Sequence, residues 1–147
     1  MGQQQLLLLV LGIVIVGIAV VAGIQAFSEG KEKADRDAIV SDAMRVISDV
    51  QAWKLKPSAF GGGADADGFE GVSYNKLGLP ETSSHYQTSS GCIALDGDED
   101  EATVTLKFRN PGDDCDEPGD TFATVTVIGT KTSDINWHYE GDDASGG

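Results

Sequence analysis

Leu6-Leu7-Leu8-Leu9-Val10-Leu11-Gly12-Ile13-Val14-Ile15-Val16-Gly17-Ile18-Ala19-Val20-Val21-Ala22-Gly23-Ile24 contains no charged and no strongly polar residue. As a helix rising 1.5 Å per residue, it covers roughly the ~30 Å hydrocarbon thickness of a bilayer. The rest of the 147-residue chain is polar and acidic, with a net charge of −14. A cleavable secretory signal would need a basic first segment, a shorter apolar centre and a small-residue cleavage site. Met1-Gly2-Gln3-Gln4-Gln5 has no Lys or Arg, and no clean A-x-A pattern follows the apolar run. The N-myristoylation motif fails as well, because position 6 is Leu6 where Ser or Thr is required. The segment is therefore expected to be retained.

Small residues interrupt the branched ones. Ala19 with Gly23, and Ala22 with Ala26, give the small-xxx-small spacing that lets helix backbones approach closely. An ordinary membrane anchor, where glycine is common anyway, is the plainer explanation of the same composition.

After a polar stretch from Ser28 to Lys33, Ile39, Ala43, Val46, Ile47, Val50 and Trp53 recur at three- and four-residue steps. Asp37, Asp42, Arg45, Asp49 and Lys54 occupy the rest of the wheel, so the spacing predicts an amphipathic helix. Pro57 and Gly61-Gly62-Gly63 end it. Gly30 costs only about 1 kcal/mol relative to Ala. One continuous helix to about residue 56, on the order of 80 Å long, is thus expected.

The C-terminal half reads as strands. Val104, Leu106 and Phe108 alternate with Thr103, Thr105, Lys107 and Arg109; Ala123, Val125 and Val127 with Thr124 and Thr126; Ile135, Trp137 and Tyr139 with Asn136 and His138. Cys92 to Leu95 adds a fourth. Turn material at 96–101, 110–120 and 129–134 favours antiparallel neighbours, and their apolar face needs a cover, which the stripe from Ile39 to Trp53 supplies. The expected architecture is α+β: a long N-terminal helix on a four-stranded antiparallel sheet. Its divisions are an apolar helix over 1–27 and a head over 28–147. Within the head come the amphipathic helix to about 56, a surface loop over 57–91, the sheet over 92–140 and an acidic tail over 141–147. Phe60, Phe69, Val72, Tyr74, Leu77 and Leu79 are expected to pin that long loop.

Together these features resemble the type IV pilins and the pseudopilins of type II secretion: Gly2 before an apolar helix, an amphipathic continuation, a glycine-rich loop, a four-stranded sheet and a late cysteine pair. The resemblance implies a filament subunit that is held in the membrane before assembly, handled by an assembly machinery and bundled through its apolar helix afterwards. It implies cleavage after Gly2, leaving Gln3 as the first residue, with methylation of the new terminus. Gln25 then falls where pilins often carry Gln. Leu7 stands where the family commonly has a Glu, and Ile24 where it has a Pro. Assembly would run through Leu7, Leu8, Leu11, Gly12, Ile15, Gly17, Ile18, Ala19, Ala22 and Gly23, with Gly12 and Gly17 as the extensible points in the filament. The implied locations are an extracellular filament and an inner-membrane pool. A secretion pseudopilin acting as a periplasmic piston, or a single-pass anchored binding domain, are the alternatives.

Cys92 and Cys115 are the only cysteines, and an even count in a short exported domain suggests a disulfide on the oxidising side of a membrane. Two free thiols in a reducing compartment are the alternative. Lys31, Lys33 and Arg36 would hold the following chain inside by the positive-inside tendency, but Glu29, Glu32, Asp35 and Asp37 are interleaved with them.

The net charge excludes a sequence-independent nucleic-acid binder of the basic-patch kind. Acid concentrates at Asp96, Asp98, Glu99, Asp100 and Glu101, and again at Asp113, Asp114, Asp116 and Glu117. Asp96, Asp98 and Asp100 offer alternate oxygens to Ca²⁺, but the EF-hand spacing with its Gly and distant Glu is missing. A solvated acidic turn, with no metal or other cofactor, is the expectation. No catalytic residue is expected either. Neither His85 nor His138 stands in a recognised arrangement, and Gly61 to Gly63 follows a helix instead of opening one.

Overall fold

The computed structural model describes residues 2–80, 85–108, 115 and 121–140. The acidic stretch at 113–117, apart from Cys115, and the tail at 141–147 lie outside them.

Helix α1 runs from Gly2 to Leu55 without interruption. No proline precedes Pro57, and isolated glycines lower helix stability without stopping it. Two compact units divide the chain, residues 1–36 and residues 37–147. In the first, every side chain from Gly2 to Ala34 is exposed, and Arg36 Nη2 donates to Glu32 Oε1 at 2.9 Å one helical turn back.

In the second unit Ile39, Ala43, Val46, Ile47, Val50 and Trp53 are all buried, as their spacing predicts. The helix closes on itself at Pro57. Gly63 N donates to Trp53 O at 2.9 Å and Ala64 N to Lys56 O at 3.2 Å, satisfying carbonyls that the last turn leaves open. Trp53 Nε1 donates to Gly61 O, and a Cβ at Gly63 would lie 2.4 Å from the Trp53 ring, so only glycine fits there.

The stretch expected as a surface loop is more structured than that. A 3-10 turn at Ser58–Phe60, helix α2 at Tyr74–Leu77 and strand β1 at His85–Gln87 punctuate it. Phe69, Tyr74 and Leu79 enter the core, with Val72 and Leu77 packed against it. Phe60 does not pin anything; it is exposed, because the 3-10 turn points it outward. The Tyr74 hydroxyl donates to Ile93 O at 2.8 Å, which satisfies its one polar atom in the core.

The sheet has five strands, not four. Strands β2 (Gly91–Gly97), β3 (Ala102–Phe108), β4 (Thr121–Val127) and β5 (Ile135–Tyr139) follow β1 in the order β1-β2-β3-β4-β5, every pair antiparallel. The register puts Tyr86, Ile93, Leu106, Ala123 and Tyr139 in one cross-strand row, and Leu95, Val104, Val125 and Trp137 in the next. Apart from Tyr139, which is exposed, those rows pack with the buried stripe of α1 into one core. The register shifts between Leu106, opposite Ala123, and Lys107, opposite Thr121, so Phe122 is the extra residue of a bulge and Phe122 and Ala123 are buried in succession, with Glu140 N donating to Phe122 O at 2.9 Å. The other face carries Thr103, Thr105, Thr124 and Thr126 in directly opposed pairs. Half-exposed threonine on the outside and Val or Leu inside is the alternation that fixes a strand's face.

Cys92 and Cys115 form a disulfide, with Cα atoms 5.7 Å apart and a separation of 23 positions in sequence. Cys92 lies in the outer-face row with Gln87 and Lys107, so the bridge sits on the side of the sheet away from the helix.

Candidate functional site: an uncovered apolar helix

Fourteen Leu, Ile and Val side chains between Leu6 and Ile24 are at least half exposed. Burying one such side chain is worth about 1.5–3 kcal/mol. Even at the lower bound, leaving this segment in water forgoes on the order of 20 kcal/mol. That exceeds the whole stability of an ordinary domain, about 5–15 kcal/mol. A contiguous apolar surface of this extent marks a membrane or protein interaction site. By length and composition the helix can cross a membrane.

The assembly residues expected from the sequence all fall on this exposed segment. Leu7, Leu8, Leu11, Ile15 and Ile18 are exposed, and a Cβ added at Gly12, Gly17 or Gly23 would meet nothing within 4 Å. The small residues leave a shallow depression lined by Gly17, Ile18, Val21, Ala22 and Gln25. The helix continues unbroken through Gly12 and Gly17. Gly2 and Gln3 form its first turn, which has no acidic residue.

The charged residues next to the apolar run are less basic than a count of Lys and Arg suggests. Arg36 pairs with Glu32, and residues 28–36 hold three cations against three carboxylates. The disulfide on the outer face of the sheet accords with a head in an oxidising compartment.

Elsewhere the histidines and the acidic groups stand apart. His85 and His138 occupy opposite ends of one cross-strand row, His85-Ala94-Thr105-Thr124-His138. Four strand spacings of about 4.8 Å keep them ~19 Å apart. At the acidic turn, Asp98 Oδ1 accepts the backbone N–H groups of Asp100 and Glu101, both at 2.9 Å. The bond from Glu101 first, and that from Asp100 second, hold the Asp98 carboxyl below the usual carboxylate range. That carboxylate closes its own turn. Among the described residues no group of three or more His, Cys, Asp or Glu is gathered closely enough to hold a metal ion.

Two contributions escape a reading by periodicity. Gln51 Nε2 donates to Gly129 O at 3.0 Å and Lys131 O at 3.2 Å, tying the helix to the β4–β5 turn. Lys54 Nζ donates to Gly63 O at 3.0 Å and Ala66 O at 2.6 Å, holding the glycine-rich segment. Their only signal in the sequence is a position on the flank of the apolar stripe, which does not identify the acceptor. Comparison with family models, with curated proteins and with solved structures gives no match.

Proposed function

We propose that this chain is the structural subunit of an extracellular, pilus-like filament, polymerising by bundling its apolar N-terminal helices. The observation that carries the proposal is the coexistence in one helix of an uncovered apolar part and a part fully engaged in a folded head. An apolar helix leaves lipid without loss only if equal apolar surface replaces the lipid, and other copies of the same helix provide that surface. The contacts between successive subunits are heterologous and do not close, which generates a helical polymer. The soluble head, stapled by Cys92–Cys115 and bearing a threonine-lined face, then forms the exterior.

In this scheme the unassembled subunit waits in the membrane, and an assembly machinery extracts it. Processing after Gly2 and methylation of Gln3 would release the helix for bundling. Leu7 leaves the first turns without the carboxylate that pilins commonly place there, so packing alone sets the register, with Gly12, Gly17, Ala19, Ala22 and Gly23 allowing close approach.

Cryo-electron microscopy of material sheared from cells carrying this chain tests the proposal. Long filaments with the helices of residues 6–24 packed against one another are the expected result. Helices lying apart in lipid, or a chain found only in membranes beside an export ATPase, would refute it; the second outcome points to a secretion pseudopilin. Monomers that never polymerise on detergent removal point to an anchored binding domain.

A further inference from the structure

The net charge is not spread along the chain. Residues 1–36 hold three Lys/Arg and three Asp/Glu, whereas residues 37–147 hold seven Lys/Arg against 21 Asp/Glu, so the second unit carries the full −14. Among the described residues, the cations of that unit do not offset its acids by contact. Lys54 points its ammonium at the carbonyls of Gly63 and Ala66, and Lys76 at the carbonyl of Gly71 while lying 5.6 Å from the centre of the Trp53 ring. Among the described residues of the second unit no Lys or Arg forms an ion pair with a carboxylate.

The fold also brings acid together. Phe69 N donates to Asp98 O at 2.8 Å, and Gly68 lies so close to Glu99 O that a Cβ would sit 1.9 Å from it. Two acidic segments, 65–70 and 96–101, therefore meet backbone to backbone, with Asp67, Glu70, Asp96, Glu99 and Asp100 exposed around the junction. Among the described residues no Lys or Arg pairs with these carboxylates, which leaves them open to neutralisation by cations of the medium.

We propose that self-association of this chain is gated by ionic strength: cations of the medium screen the heads, and only then do the neutral apolar helices bundle. The inference rests on the self-association reading above and adds its control. Bundling residues 6–24 brings many copies of a −14 head, joined within a few turns of helix, into one neighbourhood. Repulsion between them reaches about 10 Å at 0.1 M salt and about 3 Å at 1 M. The attraction between apolar helices has no such charge dependence, so salt shifts the balance toward the polymer.

The test uses full-length chain in nonionic detergent, with assembly on detergent removal followed by sedimentation and negative-stain microscopy. Between 0.1 and 1 M NaCl the concentration needed for assembly is expected to fall at least about tenfold. A variant carrying D67N, E70Q, D96N, E99Q and D100N, all at exposed positions, is expected to assemble at lower salt and with a shallower salt dependence. Sucrose of equal osmolality strengthens burial of apolar surface but screens nothing, and it is expected not to substitute for NaCl; this comparison needs no variant. Polymers whose threshold does not change with salt, equal salt dependence in variant and wild type, or equal effect of sucrose would each overturn the gating while leaving self-association standing. Absence of polymer at every salt concentration overturns self-association and the gating with it.

Discussion

The seam between helix and sheet can be tested at one contact. Gly91 opens β2 opposite Phe108, and a Cβ built there would lie 2.5 Å from Ile39 Cδ1 and 2.6 Å from Lys107 O. Ile39 is completely buried, so Ile39→Ala removes three carbons from a closed site and is expected to cost about 3 kcal/mol, within the 2–5 kcal/mol range for such truncations. Gly91→Ala overfills the same site and is expected to cost about 2 kcal/mol. Combined, the two changes meet: the alanine methyl enters the space that Ile39 vacates, and only the contact with the Lys107 carbonyl remains. The double variant is therefore expected to be about 1 kcal/mol more stable than the sum of the single losses. The assay is urea unfolding of the full chain in nonionic detergent, followed by fluorescence of Trp53 and Trp137, with the four proteins compared at a common slope. Losses that add within about 0.3–0.5 kcal/mol would mean that the sites do not touch, and the packing of the helix over β2 would be refuted.

Other consequences are open to separate measurement. Reducing Cys92–Cys115, or replacing both residues by Ser, should lower head stability by about 3 kcal/mol for a loop of this length; an unchanged urea midpoint would show that the bridge does not restrict the unfolded chain. Asp98, whose carboxyl is held below its ordinary value by the amides of Glu101 and Asp100, contributes stability above its unfolded pKa of about 3.9 that is lost as pH falls through the lower folded value. Carbon-detected NMR titration should place its midpoint below the ordinary Asp value of about 3.9, and a midpoint at or above that value would contradict the turn geometry. Val16→Lys places a charge at the centre of the apolar run and should cost about 2.5–3.5 kcal/mol on insertion, so alkaline extraction should release the variant from membranes and leave the wild type behind.

The stripe from Ile39 to Trp53 was legible because six apolar residues at helical spacing have one way to be buried together, and β3 and β4 because threonine alternates with Val, Leu or Ala over 103–106 and 123–127. Strand β1 was not legible. His85-Tyr86-Gln87 offers one apolar residue between two polar ones, and it is a strand because β2 presents a free edge, with Tyr86 opposite Ile93. Such a strand is defined by its partner and carries little propensity of its own. Phe60 misled for the opposite reason: an aromatic residue in a loop reads as an anchor, yet the turn conformation from Pro57 to Gly61 decides where its ring goes. The apolar segment itself is plain from composition. What covers it is not, because the covering surface belongs to lipid or to other molecules and leaves no mark on this chain's periodicity.

Gln51 joins α1 to the turn between the last two strands, with acceptors 78 and 80 residues further along the chain. The buried residues from Ile39 to Trp53 are strung along the same helix. A pull applied at residue 37 along the axis of this part of α1 would load these anchors side by side, in shear, where a strand peeled from one end would release them one at a time. The amide of Gln51 delivers part of that tension to the hairpin at the end of the sheet. Resistance to such a pull accordingly draws on how the helix is riveted along its length as well as on the thermodynamic depth of the core.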